Sequence, residues 1–509
     1  MTERANPLRR LELPRRWEFL AERAAKAEVD PSEVVERVDD AALRIDALLR
    51  RTRDGGGGVI EVIYGLSGSG KTTFLQTLPR FFEGVRVVSF PKESPLSDLP
   101  KFVKNGVIPG DDKSRIVLID RRDNPTAAEL AMVEEVFGEL LNTFREPGGD
   151  AVVLWPITKP ESADHISTTA WSVGRDSMAD ADSSGQFHFK GIGKNRYFDL
   201  ADNTSRTLTG DGLEAFGITR EAAVEVIPKC DTISDFYSKV TAISNQNRDE
   251  TWSILKKKSV SHLWIVLPGD DVKILNATAD ALTQGIKSKI DIDKVGEMID
   301  RPDQEALYVA DWKSRRGQLA HLLRAIDVRL FGLPPNVSLA AVRSFGDDAL
   351  KARLKQPATN LEQSKQAMKS CRLYKSILDQ VGIETSPYAG PRQLSKETVD
   401  EFLRIQVAAS KDDKPLNKAL GQLIAVCLSE DAPSLKVISE KKSLPGSSLQ
   451  PDIQIELGDG EYICLEPTWR TSGVGVAGEI KQAQNTLSEA HLKKYVLEKA
   501  TQYVKDMGL

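Results

Sequence analysis

Residues Gly65-Leu66-Ser67-Gly68-Ser69-Gly70-Lys71-Thr72 have the spacing Gly-x4-Gly-Lys-Ser/Thr. In that pattern glycines let consecutive backbone N–H groups turn inward on phosphate oxygens, the lysine reaches the β/γ-phosphates, and the hydroxyl ligates Mg²⁺. Gly65, Ser67, Gly68, Ser69, Gly70, Lys71, Thr72 and Thr73 are therefore candidate ATP-binding residues, with Thr72 also a metal ligand. Further along, the apolar run Ile116-Val117-Leu118-Ile119 ends at Asp120, which suits an aspartate that holds Mg²⁺ opposite Lys71 and Thr72. Arg121 follows it directly, so the nearest acid able to orient an attacking water is Asp123, then Glu129. A third set, Asp452 on one strand and Glu466-x-Thr468 on the next, offers two carboxylates that could hold one or two Mg²⁺ ions against a scissile phosphate.

The elements around these residues fit such roles. Val59 to Tyr64 is a β-type run, and Thr73 to Leu78 reads as a helix that stops at Pro79. Strand-like runs continue at Val85 to Phe90, Ile116 to Asp120, Ala151 to Trp155 and Tyr197 to Leu200, with a helix at Ala127 to Leu141 between the third and fourth. Near-continuous apolar strands alternating with helices predict an α/β fold: a parallel sheet with helices on both faces, over 59–215. Before it, Leu13 to Arg51 reads as two helices broken at Asp30-Pro31-Ser32, forming an N-terminal helical segment over 1–54 that ends in the flexible connector Gly55 to Gly58.

Residues 216–393 read as a mainly helical domain, with helices at Thr219 to Val226, Ile233 to Asn245, Val272 to Thr283, Trp312 to Phe331 and Leu361 to Val381, interrupted by the buried strand Leu263 to Leu267. The turn-rich Thr385 to Pro391 leads to a last unit at 394–509. That unit runs through a helix at Leu416 to Leu428, a strand at Leu435 to Ile438, a hairpin of Leu449 to Leu457 and Tyr462 to Thr468 about a Gly458-Asp459-Gly460 turn, and a helix from Ala477 onward.

Composition bounds these readings. A chain of 509 residues suggests about three domains, and 40% hydrophobic with 28% charged residues is the make-up of a water-soluble globular protein. No apolar run approaches the roughly 20 residues of a membrane span, and the arginine-rich start has no apolar segment after it to make a secretory signal. The four cysteines have no metal-ligand spacing, which points to reduced thiols and a cytoplasmic location. A net charge of −5 excludes a polycation that coats nucleic acid, so any such contact is a local patch.

Taken with Asp120 and with Thr158, a hydroxyl at the end of the Ala151 strand, residues 59–215 resemble the additional-strand P-loop ATPases, which include the AAA, STAND and KAP families. The resemblance implies that Thr158 senses the γ-phosphate, that the helical stretch transmits ATP binding or turnover, and that the protein works as a homo-oligomer or with a partner. Among Arg175, Arg206, Arg315 and Arg316, spacing distinguishes no arginine finger.

The order of elements about Asp452 and Glu466 resembles a restriction-endonuclease-like PD-(D/E)xK fold. The lysine that this family carries two residues after the glutamate is Thr468 in this chain, and Arg470 or Lys481 could replace its charge. Lys493, Lys494, Lys499 and Lys505 on the last helix, and Lys436, Lys441 and Lys442, are candidate phosphate contacts. Together the two resemblances imply an ATPase, with ATP and Mg²⁺, controlling a metal-dependent nuclease-like domain that acts on DNA, as in prokaryotic genome defence. The alternative is a nucleotide-dependent oligomeric switch whose terminal domain binds nucleic acid or a protein without cutting.

Overall fold

The computed structural model describes residues Leu8 to Asp506 except 56, 107–112, 256–259, 285–287, 300–311, 313–315, 356–359, 389, 391–393, 410–411, 440–441, 446, 459 and 470–488. The chain divides into two compact units. One comprises Leu11–Leu213 with Ile218–Ser244; the other comprises Met1–Arg10, Glu214–Gly217 and Asn245–Leu509.

The Leu11–Ser244 unit is built on five parallel strands: β1 (Val59–Tyr64), β2 (Val85–Ser89), β3 (Ser114–Leu118), β4 (Ala151–Ile157) and β5 (Gln186–His188). Their order is β2-β3-β4-β1-β5, so β4 lies between β1 and β3. Every residue of β4 is buried, as a central strand covered on both faces requires. One face packs on the helices Ala127–Arg145 and Pro160–Gly174 through Val133, Phe137, Leu140 and Ile166. The other packs on the helix Asp39–Gly55 through Ala42, Ile45, Leu48 and Leu49.

The expected N-terminal segment is thus part of this unit's core. Asp30-Pro31 opens only the single 3-10 turn Pro31–Val34, and the second long helix starts at Asp39. Gly58 is no loose connector either, because a Cβ there would collide with the Phe144 ring. The Tyr197–Leu200 run is the start of the helix Tyr197–Thr209, whose buried Tyr197, Leu200, Ala201 and Thr204 recur at helical spacing. The edge strand is instead the three-residue β5, paired to β1 alone.

The other unit holds a seven-stranded mixed sheet: β6 (Val260–Pro268), β7 (Thr283–Gln284), β8 (Lys289–Ile290), β9 (Arg329–Leu333), β10 (Lys436–Ile438), β11 (Ile453–Gly458) and β12 (Glu461–Pro467), in the order β10-β11-β12-β6-β9-β8-β7. β11 and β12 form the expected hairpin, β10 pairs antiparallel with β11, and β12 then pairs in parallel with β6 along its whole length. A boundary at 393/394 would therefore cut one sheet and one core, in which Trp264, Val266 and Phe331 pack with Leu420, Ile424 and Ile463. Within 216–393, the single helix expected over Trp312 to Phe331 gives way to the helix Arg316–Ala325 followed by the strand β9. The last helix is described over Glu489–Asp506, and the expected start at Ala477 lies outside the described residues.

Candidate functional site

β1 runs straight into the glycine loop, and the loop opens the helix Lys71–Gln76. Gly68 and Gly70 have φ of 81° and 96°, a left-handed backbone that side-chain-bearing residues rarely adopt and that lets the loop N–H groups face one point. That helix ends at Gln76, and Pro79 sits inside a second short helix, Leu78–Phe81, so the break comes at Thr77 rather than at the proline. The loop lies at the C-terminal end of the sheet, where open parallel sheets present their ligand crevice.

There a polar cleft of about 510 Å³ is lined by Ser67, Gly68, Gly70, Lys71, Thr72, Thr73, Asp120, Asp123 and Thr158, together with Arg15, Arg16, Trp17, Glu18, Lys92 and Arg121. Eight of the ten residues expected to hold nucleotide line it; Gly65 and Ser69 do not. Gly65 nevertheless shapes the loop, accepting a hydrogen bond from Lys71 Nζ at 2.5 Å, and Leu66 O accepts a second at 2.9 Å. Ser69 lines the neighbouring cavity. Because β3 and β4 are adjacent, Asp123 and Thr158 meet: Thr158 N–H donates to Asp123 O at 2.9 Å, and the hydroxyl lies 3.4 Å from Asp123 Oδ2.

Charge is held under tension in this cleft. Burial lowers the Lys71 ammonium to about 8, with Asp123 pulling the other way. Burial likewise holds the Asp120 carboxyl above the usual carboxylate range, against the bond it accepts from Arg121 N–H. A buried cation beside hydroxyl and carboxylate oxygens suits a phosphate–Mg²⁺ ligand, since each partner offsets the other's desolvation.

Glu129 is excluded as a water-activating residue. It closes a capping box with Thr126 and pairs with Arg122 Nη1 at 3.0 Å. Arg121 has φ 59° and sends its guanidinium to Glu18 Oε1 at 3.0 Å, on the first turn of the helix Trp17–Lys26. Of the arginines weighed as fingers, Arg206 pairs with Asp202, Arg175 does not line the cleft, and the Arg315 and Arg316 side chains lie outside the described residues. Arg15 and Arg16 do line it, a placement that no spacing in the sequence marks.

A second, largely apolar cavity shares Arg15, Arg16, Gly68, Gly70 and Thr73 with this cleft and continues between Val34, Val35, Phe74, Leu200 and Tyr237. A ligand with a charged end and a flat apolar end fits the two together.

In the other unit, β11 and β12 pair with Ile453 opposite Leu465, so Asp452 and Glu466 are opposed one step further along, on one face. Both are buried, at 9% and 3% exposure, and Thr468 at 7%. The cation beside them comes from the last helix: Lys499 Nζ lies 2.7 Å from Glu466 Oε2, and the Tyr503 hydroxyl donates to Oε1 at 2.9 Å. Lys499 is thus turned inward and Lys493 is buried, so neither is free for a phosphate, whereas Lys494 and Lys505 on the same helix are exposed. Arg470, Lys441 and Lys481 lie outside the described residues. Among the described residues no group of three or more His, Cys, Asp and Glu side chains could hold a metal ion.

No protein-family model and no curated protein matches this chain. No described helix is long and apolar enough to cross a membrane, and the four cysteines are buried and outside any disulfide.

The pH dependence of nucleotide affinity follows from Lys71. Below about 8 the ammonium is charged before a phosphate arrives, whereas above it the site must take up a proton on binding. Affinity for MgATP is expected to fall by roughly tenfold for each further pH unit above that value, and isothermal titration in buffers of different ionisation enthalpy should show the proton uptake. A Lys71→Arg variant, charged throughout, should lose the dependence.

Proposed function

We propose that the Leu11–Ser244 unit binds ATP with Mg²⁺ and hydrolyses it. The observation that carries this reading is the convergence of Lys71, Thr72, Asp120, Asp123 and Thr158 on one polar cleft. The order β2-β3-β4-β1-β5, with a strand inserted between β1 and β3, supports assignment to the additional-strand P-loop class. In this reading Lys71 neutralises the β/γ-phosphates, Thr158 reads the terminal phosphate, and Asp123 orients the attacking water. Thr72 and Asp120 are hard oxygen donors that would hold Mg²⁺, which supplies charge neutralisation on the phosphates. The apolar cavity beyond Gly68 suits the base and ribose. Asp123→Asn should retain MgATP binding while losing about a hundredfold or more in turnover; a phosphate-release assay that finds full turnover in this variant removes Asp123 from the mechanism.

For the other unit the reading is a metal-dependent nuclease-like centre under the ATPase's control, acting on DNA. Lys499 beside Glu466 supports it, because it supplies the positive charge that Thr468 cannot. A second reading, a switch that binds nucleic acid or a partner without cutting, is favoured by Glu466 having both oxygens engaged in a buried setting. Cleavage of plasmid and linear DNA with Mg²⁺ or Mn²⁺, at saturating ATP, separates them. Wild type should cut, and Asp452→Asn and Glu466→Gln should each lose at least about a hundredfold. A folded wild type that binds DNA but leaves it intact selects the switch instead.

A further inference from the structure

The N-terminal arm, Leu11 to Val38, lies along the mouth of the nucleotide cleft and is fastened at several points. Leu11, Leu13, Leu20 and Ala24 are buried. Arg15 Nη1 donates to Ser238 Oγ at 3.2 Å, Arg196 Nη2 to Glu36 Oε1 at 2.9 Å, and Asn203 Nδ2 to Glu33 O at 3.4 Å. Between these anchors stands Arg16. Its backbone is extended, with φ −137° and ψ 152°, and its carbonyl accepts the first helical bond from Leu20 N–H at 3.0 Å. Arg16 is exposed, lines both this cleft and the apolar cavity next to it, and makes no ion pair among the described residues. The backbone is therefore fixed while the charge is uncommitted, which is what a preorganised anion contact needs.

The balance of charge points the same way. Five basic side chains (Arg15, Arg16, Lys71, Lys92 and Arg121) and three acidic ones (Glu18, Asp120 and Asp123) line the cleft, which leaves it net positive before any ligand enters. Lys71 reaches the loop carbonyls, Arg15 donates to Ser238 and Arg121 is held by Glu18, which leaves Arg16 as the uncommitted guanidinium, with Lys92 beside it in the lining, to meet a phosphate.

Resting on the ATP reading above, we propose that Arg16 contacts the terminal phosphate in cis, and that the Glu18–Arg121 pair positions the arm that carries it. In hydrolysis the new P–O bond comes from water and the broken one is to the β–γ bridging oxygen. Arg16 stabilises the charge on the transferred group's oxygens while Arg121 and Glu18 touch neither. Arg16 thereby makes the site distinguish tri- from diphosphate, and couples that difference to an arm packed against Tyr197–Thr209 and the start of Ile233–Leu255.

The test compares ADP with a non-hydrolysable ATP analogue on the full chain. Arg16→Ala should leave ADP affinity within about twofold, weaken the triphosphate analogue by about tenfold or more, and lower turnover by a larger factor. Arg16→Lys should recover part of the binding but little of the turnover. Glu18→Gln should give a smaller loss of the same kind, recovered by exchanging the charges as Glu18→Arg with Arg121→Glu. Lys26→Ala, 73% exposed on the same helix, should change nothing. An unchanged ratio of ADP to triphosphate affinity in Arg16→Ala, or equal weakening of both, overturns the role of Arg16 while the ATP site stands. A wild type that binds neither nucleotide overturns the ATP site itself, and this proposal with it.

Discussion

Lys71→Ala should reduce MgATP affinity by at least about a hundredfold, or about 3 kcal/mol. The ammonium sits 6% exposed under the loop, and its two partners are the loop's own carbonyls, Gly65 O and Leu66 O. It therefore shapes the cradle in the empty state and supplies the cleft's innermost positive charge when phosphates enter. Removing it takes away a charge-assisted contact in a low-dielectric setting, where such a contact is worth most. The same change also removes an ammonium that burial disfavours, so the fold itself should not suffer; far-UV circular dichroism and the melting temperature should match wild type to within a few degrees. Isothermal titration that gives wild-type affinity in this variant would place the phosphates elsewhere and remove the ground for the ATPase reading.

Local signals were legible where the physics is local. The β1–loop–helix unit is written in glycine spacing and an adjoining apolar run, and Asp120 in a run that ends at a carboxylate. Of the five parallel strands, β1, β3 and β4 appear because burial on both faces demands near-continuous apolar residues, and the edge strand β2 because its valines alternate with Arg86. The fifth is not legible, because Tyr197 to Leu200 is too short a window to separate a period of two from one of 3.6, and the true edge strand, Gln186–His188, is three residues with little apolar mark.

What the sequence hides is pairing at a distance. The partner of Leu263–Leu267 is β12, and nothing near residue 263 announces it, so one mixed sheet reads as a helical region followed by a separate domain. Arg15 and Arg16 reach the cleft through the packing of the whole arm, which leaves no spacing to read. Lys499 is different. Tyr495, Lys499 and Tyr503 recur at four-residue steps on one helix face, a mixed aromatic and cationic stripe that could have been matched to the inward-facing Glu466.

The largest expected loss of stability lies beneath the loop. Glu61, in the middle of β1, is 0% exposed, and Arg44 from the helix Asp39–Gly55 grips it with Nε to Oε1 and Nη2 to Oε2, both at 2.8 Å. Ser183 donates to Glu61 Oε2 at 3.1 Å, and Asp180 takes the remaining face of the guanidinium. Arg44→Ala leaves that carboxylate in the core without its cation, at a cost of about 3–5 kcal/mol, against the roughly 5–15 kcal/mol that a domain commands. The sign with pH is a second signature. Burial already holds Glu61 above the usual carboxylate range against the pull of Arg44, and losing the arginine raises it further. Folding then takes up a proton, so the variant should gain stability as pH falls from 7 to 5, where most domains gain none. Arg44→Met with Glu61→Leu should recover most of the loss by exchanging a buried ion pair for packed hydrocarbon. Because the loop hangs from β1, saturating MgATP should raise the melting temperature of Arg44→Ala by mass action if the nucleotide binds the folded unit alone. Equal thermal midpoints for Arg44→Ala and wild type would show that the helix Asp39–Gly55 is held to the sheet by its apolar face and that Arg44 contributes little.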